Sequence, residues 1–485
     1  MAGRPAAFLL ATLAACVGPS GRPSVGPSAF LRPEDRVLIS DFSHIQAVAA
    51  SPWLVFAATP HGLLIYDRVT RRFRPPVTVL DGYPAGRVVG AVIDAGGNGV
   101  WLRLWGESDY VHYEDGGRTW MRGYVSSDQL AGVLTVDAAL ARAPLADALR
   151  AAILTDPRLR SHQFTAAAAT PDRAEIFFGT NGLGLVRIDR QTGEWDVLTY
   201  GLVAPGVGAI APAPDGVWAA ANARPSERRG VTWVAGDLSA TRGNEGGGAA
   251  LGFPFQSARR LLTIGGDLWL ATEQGVLRID PTTWRYRSFD LPDATSLARA
   301  PDGVWVGTTR GLSLITRDDQ VMAMEPRGLT VTSLLAVGET LWVGTTSGLG
   351  RLVPGASQLA IPRGLEERVS LRVTIRAVAR LQDTIVMTTN RELAWSSRGS
   401  AWVTLPLPLS LGIPLALAPA PEGGLWMGGT HGLAFATLAP APHISVLPVP
   451  LAVPAAVRDL AVDGDYLWAA TDSGLVRLNR RAMIN

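Results

Sequence analysis

The residue types that most often carry chemistry are sparse in this chain. Its 485 residues include one Cys and six His, and all 44 basic side chains are Arg because Lys is absent. The chain therefore lacks the lysine of Schiff-base, pyridoxal, P-loop and kinase chemistry. No H-x-H, HExxH or GxSxG sequence occurs, so neither a local zinc site nor a serine-hydrolase elbow is predicted. The six histidines are His44, His61, His112, His162, His431 and His443.

Two short segments have the composition of known turn motifs. Residues 113–120 read YEDGGRTW and resemble the Asp-box, S-x-D-x-G-x-T-W, with Tyr113 in place of Ser. In sialidases and ten-bladed sorting receptors the Asp-box ties a turn away from the catalytic face. Residues 188–195 resemble one quinoprotein propeller repeat, but the motif occurs once. We predict a structural role for the Asp-box-like segment, and no cofactor.

The single cysteine lies at the end of a short apolar run. Residues 6–15 are apolar, too few to cross a membrane, and Leu13-Ala14-Ala15 precedes Cys16. This arrangement resembles the lipobox of bacterial lipoprotein precursors, which implies cleavage before Cys16 and acylation of its thiol. Residues 1–15 are then a signal peptide, and residues 16–35, rich in Gly, Pro and Ser, are a flexible tether. In proteobacterial lipoproteins an Asp at the position after the Cys tends to retain the protein at the inner membrane. If that rule applies here, Val17 implies the outer membrane.

Any functional residues must be positioned by a repeat that fills most of the chain. The pattern aromatic-x-[GA]-[TG]-x-x-G-[LV] occurs six times, and a seventh copy is one residue shorter. Three further units keep the strand and lose the motif. Intervals of about 40 residues are typical of β-propeller blades. The ten anchor residues are Phe56, Trp101, Phe177, Trp218, Trp269, Trp305, Trp342, Val386, Trp426 and Trp468.

Each repeat unit has the pattern of four short antiparallel strands. In residues 296–323, strands a to d are separated by the turns Pro301-Asp302-Gly303, 309–311 and 317–319. The 53 Gly and 34 Pro suit many such turns. The sequence therefore predicts an all-β protein, a β-propeller of about ten four-stranded blades over residues 36–485.

The repeat consensus resembles the propeller repeats of bacterial two-component regulators. Gly201-Leu202 with Asp215-Gly216 and Trp218 matches its first half, and Gly328-Leu329 with Leu341-Trp342 and Gly348-Leu349 matches more of it. In those proteins the repeats form an extracytoplasmic sensor. The resemblance therefore implies an extracytoplasmic propeller, although no kinase follows the repeats here.

Ring closure is predicted from the two ends of the repeat region. The last unit lacks its strand d, and residues 36–40 form a surplus strand before the first unit. Pairing the two would remove both open edges. This pairing favours a single ring in which the first and last units are neighbours, while two fused five-blade rings remain an alternative.

Residues 126–161 interrupt the repeat between the second and third units. Leu145, Leu149 and Ile153 recur at helical spacing, and Pro144 suits a helix start. We predict a helical hairpin here. It is either a lid on exposed blade surface or a docking element for a partner protein.

The turns between strands b and c are the predicted binding rim. Equivalent turns of a propeller meet at one face around the channel, and loops on a rigid scaffold usually carry function. His61 and His431 occupy equivalent turn positions, so they could face one funnel. The predicted rim residues are His61, Asp109, Asn181, Gln274, Arg310, Ser347, Arg391, His431 and Ser473.

These observations favour a binding or scaffold protein over an enzyme. The rim is polar and mixed in charge, without an evident catalytic or metal centre, and the formal net charge of +2 does not suggest nucleic acid. We expect a lipid-anchored protein of the bacterial envelope, periplasmic or outer-membrane, that binds a protein or small ligand through the rim or the helical insertion. The alternative is a propeller lyase or glycan-active hydrolase that uses the same rim.

Overall fold

The computed structural model describes residues 31–142, 153–246, 252–354, 356, 358–365, 372–397, 401–449 and 452–484. In these residues, 40 strands form ten antiparallel sheets, which we number as blades 1 to 10 in chain order. Eight sheets have four strands, the sheet of blade 3 has five and that of blade 7 has three. The predicted all-β propeller architecture is confirmed. Cys16 and the signal peptide lie outside the described residues.

Each blade is an up-and-down meander of strands from the inner edge to the outer edge. Blades 1 to 5 contain β2 (Ala47–Ala50), β3 (Leu54–Thr59), β4 (Gly62–Asp67), β5 (Arg72–Phe73); β6 (Val88–Ile93), β7 (Gly99–Leu104), β8 (Tyr110–Glu114), β9 (Thr119–Gly123); β10 (Ile153–Thr155), β11 (Ser161–Ala169), β12 (Glu175–Thr180), β13 (Leu185–Asp189), β14 (Trp195–Leu198); β15 (Val207–Ala213), β16 (Gly216–Ala221), β17 (Val231–Ala235), β18 (Thr241–Asn244); β19 (Ala258–Ile264), β20 (Asp267–Thr272), β21 (Gly275–Ile279) and β22 (Tyr286–Phe289).

Blades 6 to 10 follow the same plan, and β1 (Arg36–Ile39) belongs to blade 10. Their strands are β23 (Ala294–Ala300), β24 (Gly303–Thr308), β25 (Gly311–Thr316), β26 (Val321–Arg327); β27 (Val331–Val337), β28 (Thr340–Thr345), β29 (Gly348–Leu352); β30 (Ala377–Leu381), β31 (Thr384–Thr388), β32 (Glu392–Ser397), β33 (Val403–Pro406); β34 (Pro414–Pro419), β35 (Gly424–Gly429), β36 (Gly432–Thr437), β37 (His443–Pro448); β38 (Val457–Asp463), β39 (Tyr466–Thr471) and β40 (Gly474–Asn479). Helices are α1 (Ser127–Ala131), α2 (Val136–Arg142) and α3 (Arg480–Ile484), with 3-10 turns at Pro33–Asp35, Val79–Asp81 and Leu409–Leu411.

Glycine two residues after the anchor lets adjacent blades pack closely. A Cβ at Gly307 would lie 2.5 Å from Val331 Cγ1, on the inner strand of the next blade. A Cβ at Gly428 would lie 2.5 Å from Val457 in the same way. The small residue of the repeat therefore marks the contact between one blade and the next.

Blades 4 to 10 form a closed seven-blade ring. Hydrophobic clusters fill the interface between each pair of consecutive blades in this range. The ring closes between blades 10 and 4, where the Asp459 carboxylate accepts the Ile210 N–H at 3.0 Å. Asp459 also pairs with Arg260 of blade 5 at 2.9 Å. Burial raises the pKa of Asp459, and Arg260 opposes that rise.

Blades 1 to 3 form a separate three-blade body in which blade 1 lies in the middle. A Cβ at Gly179 of blade 3 would lie 2.5 Å from Ile45, which precedes the inner strand of blade 1. On the other side, the Val88 N–H of blade 2 donates to Gln46 Oε1 at 3.0 Å. Helix α1 contacts β6 of blade 2, and α2 contacts β11 of blade 3. The helices therefore bridge the two outer blades of the body.

The single ten-blade ring favoured by the sequence is wrong, and so is the division into two rings of five. The predicted pairing of residues 36–40 with the last blade is correct, since Arg36 pairs with Leu478 and Ile39 with Leu475. However, β1 pairs at the outer edge of blade 10. This pairing does not determine which blade lies beside β38, the inner strand of blade 10. Blade 4 takes that position, and blades 1 to 3 are inserted between β1 and blade 4.

The helical insertion differs in detail from the predicted hairpin. The two short helices precede the predicted stripe, and Leu145 and Leu149 lie outside the described residues. Ile153 lies on β10, which pairs with the start of β11, so it does not continue a helix. Ala139 of α2 is fully buried against blade 3. Pro144, the predicted helix start, also lies outside the described residues.

Candidate functional site

Eight of the nine predicted rim residues lie between the second and third strands of their blades. Asn181 lies between β12 and β13, the third and fourth strands of the five-stranded blade 3. The six in the seven-blade ring are Gln274, Arg310, Ser347, Arg391, His431 and Ser473, and all but Ser473 are exposed. We call these six residues the ring rim. His61, Asp109 and Asn181 belong to the three-blade body, so the predicted set is divided between two structures. His61 and His431 therefore do not face one funnel.

A threonine-centred turn holds five of the six ring-rim positions, which explains the Thr of the repeat motif. The turn of His431 has Gly429 in place of this Thr. In blade 6, Thr308 Oγ1 donates to the Gly311 carbonyl at 3.1 Å and accepts the Arg310 N–H at 3.0 Å. Equivalent bonds occur at Thr272, Thr345, Thr389 and Thr471. The turn thus fixes the backbone of the rim residue and leaves its side chain exposed.

The residues directly before the b–c turn positions form hydrogen bonds at the level of the ring rim. The sequence did not predict these contacts. In blade 10, Asp472 accepts two bonds from the Arg458 guanidinium at 2.9 Å. Asn222 of blade 4 donates to the same carboxylate at 3.2 Å, across the ring closure. The repeat could have predicted that Asp472 and Asn222 lie at equivalent positions, because each lies four residues after an anchor. Arg458 could not be predicted in this way, because it occupies a β-bulge that strand alternation does not reveal.

Other pairs at the same level extend this polar network around the ring. Glu273 accepts the Gln256 and Ser257 N–H groups at 2.6 and 3.0 Å. The guanidinium of Arg259 pairs with Asp293 at 3.2 Å, and that of Arg376 donates to Asn390 Oδ1 at 2.6 Å. This polar network and the exposed ring rim together include more guanidinium than carboxylate groups. The guanidiniums are those of Arg259, Arg310, Arg376, Arg391 and Arg458, and the carboxylates are those of Glu273, Asp293 and Asp472.

The predicted rim residues of the three-blade body are used mainly within the structure. Asn181 Oδ1 accepts the Gln163 N–H at 2.8 Å. Asp109 pairs with Arg122 at 3.3 Å, and this guanidinium also contacts Glu107. The pKa of His61 is lowered, because loss of hydration outweighs the nearby carboxylates.

A cavity of about 480 Å³ lies at the junction of the body and the ring. Arg160 donates to both oxygens of Glu245 at 2.8 and 2.9 Å and to Asp156 at 2.7 Å. Arg228 donates to Asp41 at 2.8 Å. Burial would raise the pKa of Asp156, but bonds from Arg160 and His162 lower it to about 2. The guanidiniums and carboxylates of this cavity are paired with one another, so the cluster acts as a brace between the two parts.

The Asp-box-like segment is a turn element, as predicted. Asp115 lies between β8 and β9, away from the b–c turns, and its carboxylate pairs with Arg74 of blade 1 at 2.6 Å. The quinoprotein-like segment is a turn of the same kind, because Asp189 accepts the Gln191 and Thr192 N–H groups. Among the described residues, no group of three or more His, Cys, Asp or Glu side chains is placed to hold a metal ion.

Comparisons with known proteins give similarity of fold. No family model matches the chain, and no curated protein matches it. One similar solved structure is the extracellular domain of a putative hybrid two-component system from B. thetaiotaomicron, with 11% identity, TM-score 0.46, and coverage of 90% of this chain and 69% of that one. Virginiamycin B lyase from Staphylococcus aureus has 14% identity, TM-score 0.45, and coverage of 56% and 94%. The WD40 propeller domain of Doa1 has 9% identity, TM-score 0.44, and coverage of 56% and 92%.

The Doa1 domain is described as a β-propeller, and the B. thetaiotaomicron structure is described as an extracellular domain. Among the described residues, no helix combines the length and apolar character that a membrane span requires.

Proposed function

We propose that this protein is a lipid-anchored component of the bacterial envelope whose seven-blade ring binds an acidic segment of a partner protein. The observation that carries the proposal is the repeated threonine-centred turn, which presents an exposed side chain at equivalent points around one face. A preformed surface of this kind lowers the entropic cost of binding.

The charge of this face favours an acidic partner. Its carboxylates already accept hydrogen bonds, as Glu273 does from two backbone N–H groups and Asp472 does from Arg458. The exposed guanidiniums of Arg310 and Arg391 have no ion-pair partner among the described residues. Guanidinium groups bind carboxylates through two parallel hydrogen bonds, which gives both affinity and orientation.

Binding of a ten-residue polyglutamate peptide by residues 31–485 tests the role of this face. The double variant Arg310→Ala and Arg391→Ala should bind the peptide at least about tenfold more weakly, because two charge-assisted contacts are lost. The matched control is Arg285→Ala with Arg317→Ala, which removes the same charge from the opposite face. Equal losses in both double variants would contradict the proposal. Cleavage of an added glycan or peptide that stops in the rim variant would favour the enzymatic alternative.

The proposed anchor has its own test. Cys16→Ser should abolish incorporation of labelled fatty acid and leave the precursor uncleaved by the lipoprotein route. Labelling that persists in this variant would contradict the anchor and leave the rim proposal intact.

A further inference from the structure

A second cavity, of about 440 Å³, lies between blades 7 and 8, at the end opposite the ring rim. Val337 and Thr340 flank the a–b turn of blade 7, and Asp383 lies in that of blade 8. In the described residues, blade 7 has no fourth strand, and beyond β29 the chain pairs through an isolated bridge between Arg351 and Ala360. The outer part of this blade interface is therefore less filled than in a four-stranded blade.

Aromatic and charged side chains from both blades line the cavity. Trp342 and Arg351 are direct partners on β28 and β29, so their side chains share one face of the sheet. Trp402 of blade 8 is 2% exposed. Its indole Nε1 is buried and has no hydrogen-bond partner in the described structure. Arg363 and Arg380 complete the charged part of the lining.

In the part of the chain that the structure describes, Arg351 lacks the kind of acceptor that the equivalent arginines have in the next blade. Arg278 occupies the same position opposite the anchor of blade 5 and pairs with Asp319, in the c–d turn of the next blade, at 2.7 Å. Arg477 of blade 10 likewise donates to the Gly236 carbonyl of blade 4 at 2.6 Å. The corresponding turn of blade 8 offers no acid, because the sequence has no Asp or Glu between Glu392 and Glu422.

The described lining of the cavity therefore carries more positive than negative charge. Neither Arg351 nor Arg363 has a side-chain acceptor among the described residues. Arg380 donates to the Gln382 carbonyl at 2.6 Å and lies 3.8 Å from Asp383. Among the described residues, three guanidiniums and one carboxylate line this cavity. This differs from the junction cavity, where Arg160 and Arg228 are matched by acids.

We propose that this cavity binds a small organic anion in which a carboxylate is attached to a six-membered ring. Arg351 and Arg363 bind the carboxylate through charge-assisted hydrogen bonds. The ring packs against Trp342, which shares one sheet face with Arg351. The volume lies within the range of small-molecule sites, which combine apolar walls with a few polar groups. This site is independent of the rim, since it lies on the opposite face of the ring.

Calorimetric titration of residues 31–485 with benzoate tests the proposal. Benzamide removes the charge and keeps the ring, acetate keeps the charge and removes the ring, and glucuronate carries the carboxylate on a sugar ring. Benzoate or glucuronate should bind, benzamide and acetate should bind at least about tenfold more weakly, and the stronger of the two ring acids identifies the source of the ligand.

Substitutions locate the binding. Arg351→Gln and Arg363→Gln should each weaken binding of the preferred ring acid about tenfold or more. Arg363 lies in a loop, so this variant keeps the test valid if Arg351→Gln fails to fold. Arg278→Gln is the matched control, because it removes the equivalent guanidinium from blade 5 and should leave binding unchanged. No binding of either ring acid at 10 mM-scale concentrations (roughly the weak limit of specific sites) would overturn the proposal, and so would equal losses in Arg278→Gln and Arg351→Gln.

Discussion

The seven-blade ring and the three-blade body are built from the same repeat. They differ in that the ring closes on itself and the body does not. The ring brings seven inner strands together and pairs its first and last strands at the outer edge of blade 10. The body has too few blades to surround a channel, and α1 and α2 occupy the space between blades 2 and 3. The comparison shows that the repeat specifies the blade and the contact between blades, while other residues determine how many blades form a ring.

The connection between the two parts consists of two chain crossings and a shared core. Asp41 and Gly201 form a bridge where the chain enters and leaves the body. Phe42 and Tyr200 stack with ring centroids 6.5 Å apart. Their hydrophobic cluster includes residues of blades 1, 3, 4 and 10. The body is thus attached to the ring at its closure, where blades 10 and 4 meet.

Removing residues 36–41 should have the largest effect, and this effect should be greater on the ring than on the body. The deletion takes the outer strand from blade 10 and also cuts the crossing at Asp41, so the ring should lose cooperative stability. We expect a lower melting temperature, with hydrogen exchange rising first in β38 to β40. Blades 1 and 2 should keep their protection longer, because their shared cluster does not contain β1. An unchanged melting curve would contradict closure by β1.

A methyl group added at a blade contact should destabilise only the part of the molecule that contains this contact. Gly307→Ala places a Cβ 2.5 Å from Val331 inside the ring, and Gly179→Ala places one 2.5 Å from Ile45 inside the body. Each should cost about 1–3 kcal/mol of unfolding free energy, as overpacking usually does. Hydrogen exchange should locate the loss in the ring for the first variant and in the body for the second.

Gly90→Ala is the matched control for these two variants. Its Cβ would lie 3.8 Å from the nearest atom, Arg103 Cβ, which is an ordinary contact. It should change stability by less than about 0.5 kcal/mol. A loss in this control as large as that in Gly307→Ala would show that strand propensity, not the blade contact, is being measured.

Acid should weaken the brace between body and ring by a smaller amount. The folded-state pKa of Asp156 is about 2, below the ordinary value of 3.8, so its stabilising effect is present above pH 4 and is lost as the pH falls toward 2. Asp156→Asn should therefore lower the melting temperature at pH 7 and flatten its dependence on pH below 4. Equal slopes for wild type and variant in this window would contradict the contribution of Asp156.

The smallest effect on stability is expected at the ring rim. Arg310 and Arg391 are exposed and make no ion pair among the described residues, so their replacement by Ala should change the melting temperature little. The same variant should lose peptide binding. A large drop in melting temperature would show that these side chains support the fold instead.

The sequence was informative wherever one residue determines local geometry. The aromatic anchor, the small residue beside it and the Thr-x-x-Gly turn predicted strands and the ring-rim positions, and the surplus strand predicted the pairing of β1 with β40. Ring size could not be predicted, because blades of the ring and of the body offer their neighbours the same kind of contact. Gly179 receives Ile45 in the body much as Gly307 receives Val331 in the ring.

The remaining features depend on residues that meet only after the chain has folded. Arg458 lies beside Asp472 because a bulge turns it toward the b–c turn. Asn222 joins this pair from 250 residues away. Ile153 fits a helical spacing and a strand equally well, and its pairing with Gln163 decided the outcome. Periodicity alone contained none of this information.

The most direct test of the closed seven-blade ring is disulfide cross-linking at its closure. Asp472 and Asn222 are 3.2 Å apart between side-chain atoms, across blades 10 and 4. Pro60 holds the equivalent repeat position in blade 1, which would be the neighbour of blade 10 in a ten-blade ring. In a Cys16→Ser background, mild oxidation should cross-link Asp472→Cys with Asn222→Cys and leave Asp472→Cys with Pro60→Cys uncross-linked. Cross-linking of the second pair without the first would contradict the seven-blade ring.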